Sequence, residues 1–100
     1  MSRSILQKDT KRCFLCGEPA EWNDPLDKHH IFGGALRKKS ERDGLWVNIH
    51  HFRCHENGTR SVHRCAEVRR QLQAEAQRAW MQERNAGVEE FRAEYYKSYI

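Results

Sequence analysis

The residues of this chain best suited to chemistry are its four cysteines and six histidines. They are not evenly spread. Every histidine and three of the cysteines fall between positions 13 and 63, and Cys65 lies two residues beyond. Cys13-x-x-Cys16, closed by Gly17, is a chelating half-site, because two thiolates on one tight turn can reach a single tetrahedral Zn²⁺ at about 2.3 Å. A structural zinc needs two more ligands. Cys54 is the third, and His50 or His51 is the fourth. Such a Cys₃His centre would tie the first turn to the end of a strand and supply folding free energy that a small core lacks. Apart from His50 and His51, four histidines remain: the adjacent pair His29 and His30, His55 directly after Cys54, and His63. Neutral imidazoles bind divalent cations, and one can act as a general base near pH 7. Neighbours on a regular strand point to opposite faces, so His29 and His30 share a site only if the strand ends or bulges there. Gly33-Gly34 just beyond permits that.

These groups must be held by a few short elements. His29-His30-Ile31-Phe32 reads as a strand ending at Gly33-Gly34, and residues 18–27, with both prolines, as a surface loop. Residues 35–43 fit one or two helical turns, with Gly44 as the C-cap. Leu45-Trp46-Val47-Asn48-Ile49-His50 is a second strand, rich in β-branched and aromatic residues. Cys65, Val68, Leu72, Ala76, Ala79 and Trp80 recur at steps of three and four, the stripe of an amphipathic helix over 62–85. Thr59 or Ser61 can cap its start, and Gly87 ends it. A final short helix over 88–96 would fold Phe91, Tyr95 and Tyr99 back onto the core. Cys65, Trp46 and Trp80 read as core residues. Residues 1–12 are polar and expected as a flexible tail.

One hundred residues with 38% hydrophobic and 32% charged positions make a single domain of modest core. No run of 18 apolar residues could cross a membrane. No apolar segment follows the first basic residues, so no signal peptide is expected and the chain is placed in the cytoplasm. Cysteines kept reduced there favour metal ligation over disulfides. The net charge of +4 is concentrated. Residues 28–42 carry Lys28, Arg37, Lys38, Lys39 and Arg42 against Glu41, and residues 53–70 carry five arginines against two glutamates. Residues 71–100 are net −1. Positive charge beside the histidines suggests a polyanion reached at one face.

Taken together, Cys13-x-x-Cys16, Asp27-Lys28-His29-His30-Ile31, Leu45-Trp46-Val47-Asn48-Ile49-His50, Cys54-His55 and His63 resemble the zinc-bearing branch of the HNH endonuclease family. The stretch from His29 to Glu41, with Gly44-Leu45, is similar to small phage and prophage HNH-like proteins that also end in a long helix. The resemblance implies an α+β fold: a small ββα-metal core, HNH or treble-clef-like, with a structural zinc knuckle and a long C-terminal helix. Residues 13–100 would form one HNH-like domain, with the core in 13–64 and a helical extension in 65–100.

By the same resemblance His30 is the general base. His29 is a ligand of the catalytic metal, completed by His55, with His63 as a further ligand or a phosphate contact. Cys13, Cys16, His50 and Cys54 hold the structural Zn²⁺, His50 standing where related sequences carry Cys. The family's middle Asn, which tethers the loop that orients the base, is replaced by Leu45. Asn48 is out of phase with it, and Asn57 is the alternative. The implied activity is metal-dependent hydrolysis of DNA phosphodiesters, with Lys28, Arg37, Lys38 and Lys39 on the backbone. The catalytic cation would be Mg²⁺, Mn²⁺, Ni²⁺ or Zn²⁺, and imidazole ligands disfavour Mg²⁺. The setting would be the cytoplasm of a bacterial host or phage-infected cell. Two alternatives stand beside this. One is a zinc-stabilised DNA-binding module that has lost catalysis. The other is a phage packaging accessory protein whose long helix and Tyr95, Tyr96 and Tyr99 dock a protein partner.

Overall fold

The computed structural model describes residues 3–58 and 61–100. Two strands, β1 (Leu26–His30) and β2 (Trp46–His50), pair antiparallel with Leu26 opposite His50 and His30 opposite Trp46. A short 3₁₀ turn (Gly34–Leu36) and helix α1 (Arg37–Arg42) join them. A wide π-type turn, His51–Glu56, leaves β2. Two helices follow, α2 (Ala66–Arg84) and α3 (Val88–Tyr95). The result is a small α+β fold with a two-stranded antiparallel sheet. None of the described helices is long and apolar enough to cross a membrane.

Strand alternation divides the chemistry between two faces. Lys28, His30, Trp46, Asn48 and His50 share one face, and Asp27, His29, Val47 and Ile49 share the other. Val47 and Ile49 are fully buried with Leu45, Val62, Val68, Leu72, Ala76 and Trp80. β1 begins earlier than the sequence suggests, inside the expected loop, and ends at His30. Ile31 and Phe32 are buried but leave the ladder: the Ile31 N–H still reaches the Leu45 carbonyl, while that of Phe32 turns to Ser40 Oγ. Pairing with β2 decides the strand, and local propensity does not. Phe32 packs among Phe91, Tyr95 and Tyr99, which do fold back onto the core as expected.

Residues 3–12, read from the sequence as a flexible tail, lie along the outer edge of β2. Ser4 Oγ donates to the Trp46 carbonyl at 2.6 Å, and Gln7 Oε1 accepts the Asn48 N–H at 2.8 Å. A two-stranded sheet leaves backbone groups unpaired on its outer edge, and this segment satisfies them. Gly44, left-handed at φ +74°, admits it closely, since a Cβ there would lie 2.2 Å from the Arg3 carbonyl oxygen.

The helix stripe is as the sequence indicates, but its ends differ. α2 starts at Ala66, after Cys65, which is half-buried against the core in extended backbone. Ser61 is buried and does not cap α2; Thr59 lies outside the described residues. Asn85, left-handed at φ 50°, ends the helix. Gly87 instead opens α3, its N–H bonded to the Glu90 carboxylate. Asp43, just past α1, binds both helices. Its carboxylate accepts from Tyr95 Oη (2.7 Å), Trp80 Nε1 (3.1 Å), Arg84 Nη2 (3.0 Å) and Arg42 Nε (2.7 Å). Burial alone would raise its pKa, but these donors bring it down to about 2.

Candidate metal centre and histidine cleft

Cys13, Cys16, His50 and Cys54 place their sulfur and nitrogen atoms within 4.8 Å of one another. The sequence brings them there through three local devices. The Cys13 turn closes with Gly17 at φ +80° and a Gly17 N–H to Cys13 carbonyl bond of 2.9 Å. The Phe14 N–H bonds the Asn48 carbonyl at 2.9 Å, fastening that turn to β2. The wide turn after β2 then swings Cys54 back beside His50, its Sγ 4.0 Å from Nδ1. Cys16 Sγ is 3.3 Å from the same nitrogen.

His50 has the tautomer that a metal ligand needs. Its Nε2 lies 2.8 Å from the Pro19 carbonyl, which can only accept, and Arg53 Nε donates toward Nδ1 at 3.4 Å. Against Arg53 Nη2 at 3.1 Å from Nε2, the shorter carbonyl contact places the proton on Nε2 and leaves Nδ1 a lone pair for the metal. The Cys16 N–H points at Cys13 Sγ (3.4 Å). Burial works against a Cys13 thiolate, but backbone N–H donors and the Cys54 thiol bring its pKa down to about 7. Burial, with Cys13 beside it, pushes Cys54 up to about 12. Without a cation the cluster therefore keeps a proton, and a divalent ion would displace it. Arg53 lies 3.4 Å from His50 Nδ1, a cation beside three sulfurs whose joint charge exceeds that of a divalent ion. Two buried thiols, a third exposed one, a carbonyl-oriented imidazole and an N–H directed at sulfur fit a metal such as zinc. The choice between His50 and His51, open from spacing, falls to His50.

Three of the remaining histidines, His29, His55 and His63, gather on the other side of β1. The His29 ring is 5.0 Å from His55 and 6.5 Å from His63, and His55 and His63 are 4.6 Å apart, centroid to centroid. The His63 N–H bonds the His55 carbonyl at 3.1 Å, which sets the last two side by side. Burial pushes His29 down to about 4, helped by charge on His55, His63 and His30, so its ring is neutral at neutral pH. Asp27, two residues before His29 on the same face, was not singled out from the sequence. Its Oδ2 lies 2.5 Å from His51 Nδ1 and 3.1 Å from His55 Nδ1. Burial opposes its ionisation, but the two imidazoles hold its carboxyl below the usual carboxylate range. That bond turns His55 Nδ1 toward the carboxylate and leaves Nε2 as its other nitrogen. Asp27, His51 and His55 form one further group with ligand atoms within 4.8 Å, and His55, Glu56 and His63 form another.

His30 points the other way, as strand alternation requires. Its Nε2 is 2.8 Å from Glu41 Oε1, and Arg37 Nε donates to its Nδ1 at 3.4 Å. Because β1 ends at this residue, His30 still reaches the cleft of about 230 Å³ lined by His29, His63, Gly33, Val62 and Arg69. It also borders a hollow formed with Arg37, Lys38 and Glu41.

The basic residues expected to grip a backbone differ among themselves. Arg37 and Lys38 are exposed beside His30. Lys28 is engaged by Glu41 at 3.1 Å and lies over the Trp46 ring at 4.2 Å. Lys39 donates to the Glu94 carbonyl at 2.7 Å. Neither asparagine tethers the loop after His30. Asn48 Nδ2 donates to the Thr10 carbonyl, and Asn57 is exposed in the turn after Cys54. Fully buried Ser40 ties that loop instead, accepting from the Phe32 N–H at 3.3 Å and donating to the Leu45 carbonyl at 2.5 Å. A serine inside Arg37-Lys38-Lys39-Ser40-Glu41-Arg42 carries no sequence sign of burial. Comparison with family models, with curated proteins and with solved structures gives no match for this chain.

Proposed function

We propose that this chain is a metal-dependent, HNH-type endonuclease that hydrolyses DNA phosphodiester bonds. One observation carries the reading: the rings of His29, His55 and His63 lie within 6.5 Å of one another, and His29 and His63 line a cleft with His30, which also borders a hollow with exposed Arg37 and Lys38. The ββα-metal assignment and the resemblance to the HNH family belong to this proposal. So do its phage or prophage setting and DNA as partner.

His55, Glu56 and His63 have ligand atoms within 4.8 Å of one another, and the neutral His29 ring lies 5.0 Å from His55, which Asp27 orients. This mixed imidazole and carboxylate set suits a borderline divalent cation. Such a cation, when bound, stabilises negative charge on the phosphate and the leaving oxygen. His29, His55 and His63 would hold it. His30 takes the proton of the attacking water. Arg37 and Lys38 bind neighbouring phosphates, and such contacts carry little sequence preference. The Cys13, Cys16, His50 and Cys54 centre lies outside this chemistry and holds the turn that carries His55.

Nicking of supercoiled plasmid with Mg²⁺, Mn²⁺, Ni²⁺ and Zn²⁺ tests the reading. His30→Ala should lower the rate by about 10²–10⁴-fold, with zinc content and DNA affinity unchanged. Wild-type cleavage by His30→Ala would end it. A second reading, a zinc-stabilised DNA-binding module without catalysis, draws support from Leu45 in place of the family's Asn. It expects salt-dependent DNA binding and no nicking with any metal. The packaging-accessory reading loses part of its surface, because Tyr95 is buried and Tyr99 packs on Phe32, leaving Tyr96 exposed.

A further inference from the structure

Glu41 has no part in the chemistry described so far, yet it makes the shortest polar contact of His30. We propose that Glu41 is a positioning residue that fixes His30 as the Nε2–H tautomer, so that Nδ1 is the nitrogen that receives the proton. The inference rests on the nuclease reading for its consequence, but its geometric content stands by itself.

Two contacts agree on the tautomer. Arg37 Nε lies 3.4 Å from His30 Nδ1, and a guanidinium can only donate, so Nδ1 must present a lone pair. The proton of the neutral ring is then on Nε2, where Glu41 Oε1 accepts it at 2.8 Å. The carboxylate is itself held. Lys28 Nζ lies 3.1 and 3.4 Å from its two oxygens and is seated over Trp46. The helix that carries Glu41 is pinned on either side, by buried Ser40 to Leu45 and Phe32, and by Arg42 and Asp43 to α3. His30 therefore has one nitrogen closed by a fixed acceptor and one covered by the guanidinium of an exposed side chain.

The proton transfer follows. Arg37 is drawn to an incoming phosphate, which uncovers Nδ1. Water gives one proton to Nδ1, and its oxygen lone pair forms the new bond to phosphorus. The bond from phosphorus to the 3′ oxygen breaks, and that oxygen leaves with the electron pair and takes a proton from solvent. The ring now carries both protons, with Nε2–H still on Glu41, and later returns the Nδ1 proton to solvent. A carboxylate that orients an imidazole and stabilises its cation is a recurring catalytic arrangement.

Long-range ¹H–¹⁵N spectra of the zinc-loaded protein, at mildly alkaline pH where imidazoles are neutral, test the assignment directly. Wild-type His30 should show a protonated Nε2 and a bare Nδ1. In Glu41→Leu the ring should become a mixture of tautomers. The plasmid-nicking kcat should then fall roughly 10²-fold with KM for DNA little changed. Glu41→Gln, which keeps an acceptor at the same place, should retain the Nε2–H form and recover part of the rate. It also serves if the leucine variant fails to fold. A protonated Nδ1 in the wild-type protein overturns the proposal. So does a Glu41→Leu protein that keeps zinc and shows wild-type kcat together with an unchanged tautomer, or a Glu41→Gln protein that keeps zinc and loses the Nε2–H form with no change in kcat. If the wild-type protein does not nick DNA, the nuclease reading fails alone, and the spectra still decide the role of Glu41.

Discussion

The thiolate cluster and the histidine cleft are neighbours, linked through the turn from His50 to His55, but they are built on opposite principles. In the cluster, three of the four ligands are oriented by backbone: a carbonyl for His50, an amide for Cys13, a wide turn for Cys54. In the cleft, orientation comes from carboxylates on other elements: Asp27 for His55, and Glu41 for His30 across the sheet. Backbone-set ligands leave a signature in short spacings, because the turn that makes the geometry is local. Carboxylate-set ligands leave none, because Asp27 and Glu41 look like solvated charges until the chain folds. The cluster can act as a cross-link for a chain of small core, while the cleft sits on a frame that must already be folded.

Breaking the cluster should therefore have the largest effect. Cys13→Ser, or removal of the ion by a chelator, should abolish the cooperative thermal transition. That is a loss comparable to the stability of a small domain, about 5 kcal/mol or more. Circular dichroism with metal analysis checks it, and a zinc-free variant that melts like the parent would equate the two regions. Next comes the frame behind the cleft. Asp43→Ala leaves Trp80 Nε1 and Tyr95 Oη without their acceptor, removes one of the carboxylate partners of Arg42 and Arg84, and should cost about 3 kcal/mol in urea titration, with zinc content intact.

The same carboxylate fixes a pH dependence. Its pKa is about 2 in the fold against 3.8 ordinarily, so the folded state binds fewer protons. Its contribution is complete above pH 4 and is lost as the pH falls from about 4 to about 2, roughly 2 kcal/mol in all. Acid titration of Asp43→Asn should lack that component. A smaller effect isolates the cleft. Asp27→Asn should weaken binding of a second divalent ion by about 10–100-fold, read by isothermal titration on zinc-loaded protein, with the first ion untouched. Loss of both ions together would show that the regions are not separable. The smallest effect is expected of Ser40→Ala, about 1 kcal/mol. The Leu45 carbonyl keeps its bond from the Ile31 N–H, and the Phe32 N–H alone loses a partner.

Much of this organisation can be read before folding. The Cys-x-x-Cys turn, the second cysteine, the hydrophobic stripe of α2 and the second strand are all written in spacings of two to four residues, the range over which one turn or one strand sets geometry. The start of β1 was not legible, because Leu26 is a strand residue only by virtue of its partner His50. The docking of residues 3–12 was hidden for the same reason, since it answers unpaired groups on β2 that exist only in the sheet. Ser40 is concealed among charges, and its burial depends on where α1 comes to rest.

What the amino-acid sequence determined by itself is a set of donors: three thiols and an imidazole at chelating intervals, and a further store of histidines beside positive charge. What tertiary structure alone decided is which way those donors face. Pairing of β1 with β2 sends His29 and His30 to opposite sides. The register selects His50 over His51. The seat of α1 beside β1, with Arg42 tied to α3 and Asp43 to both α2 and α3, brings Glu41 to His30. Direction is a property of the sheet and its neighbours, because a side chain's partner across a fold is set by distances that no short stretch of sequence encodes.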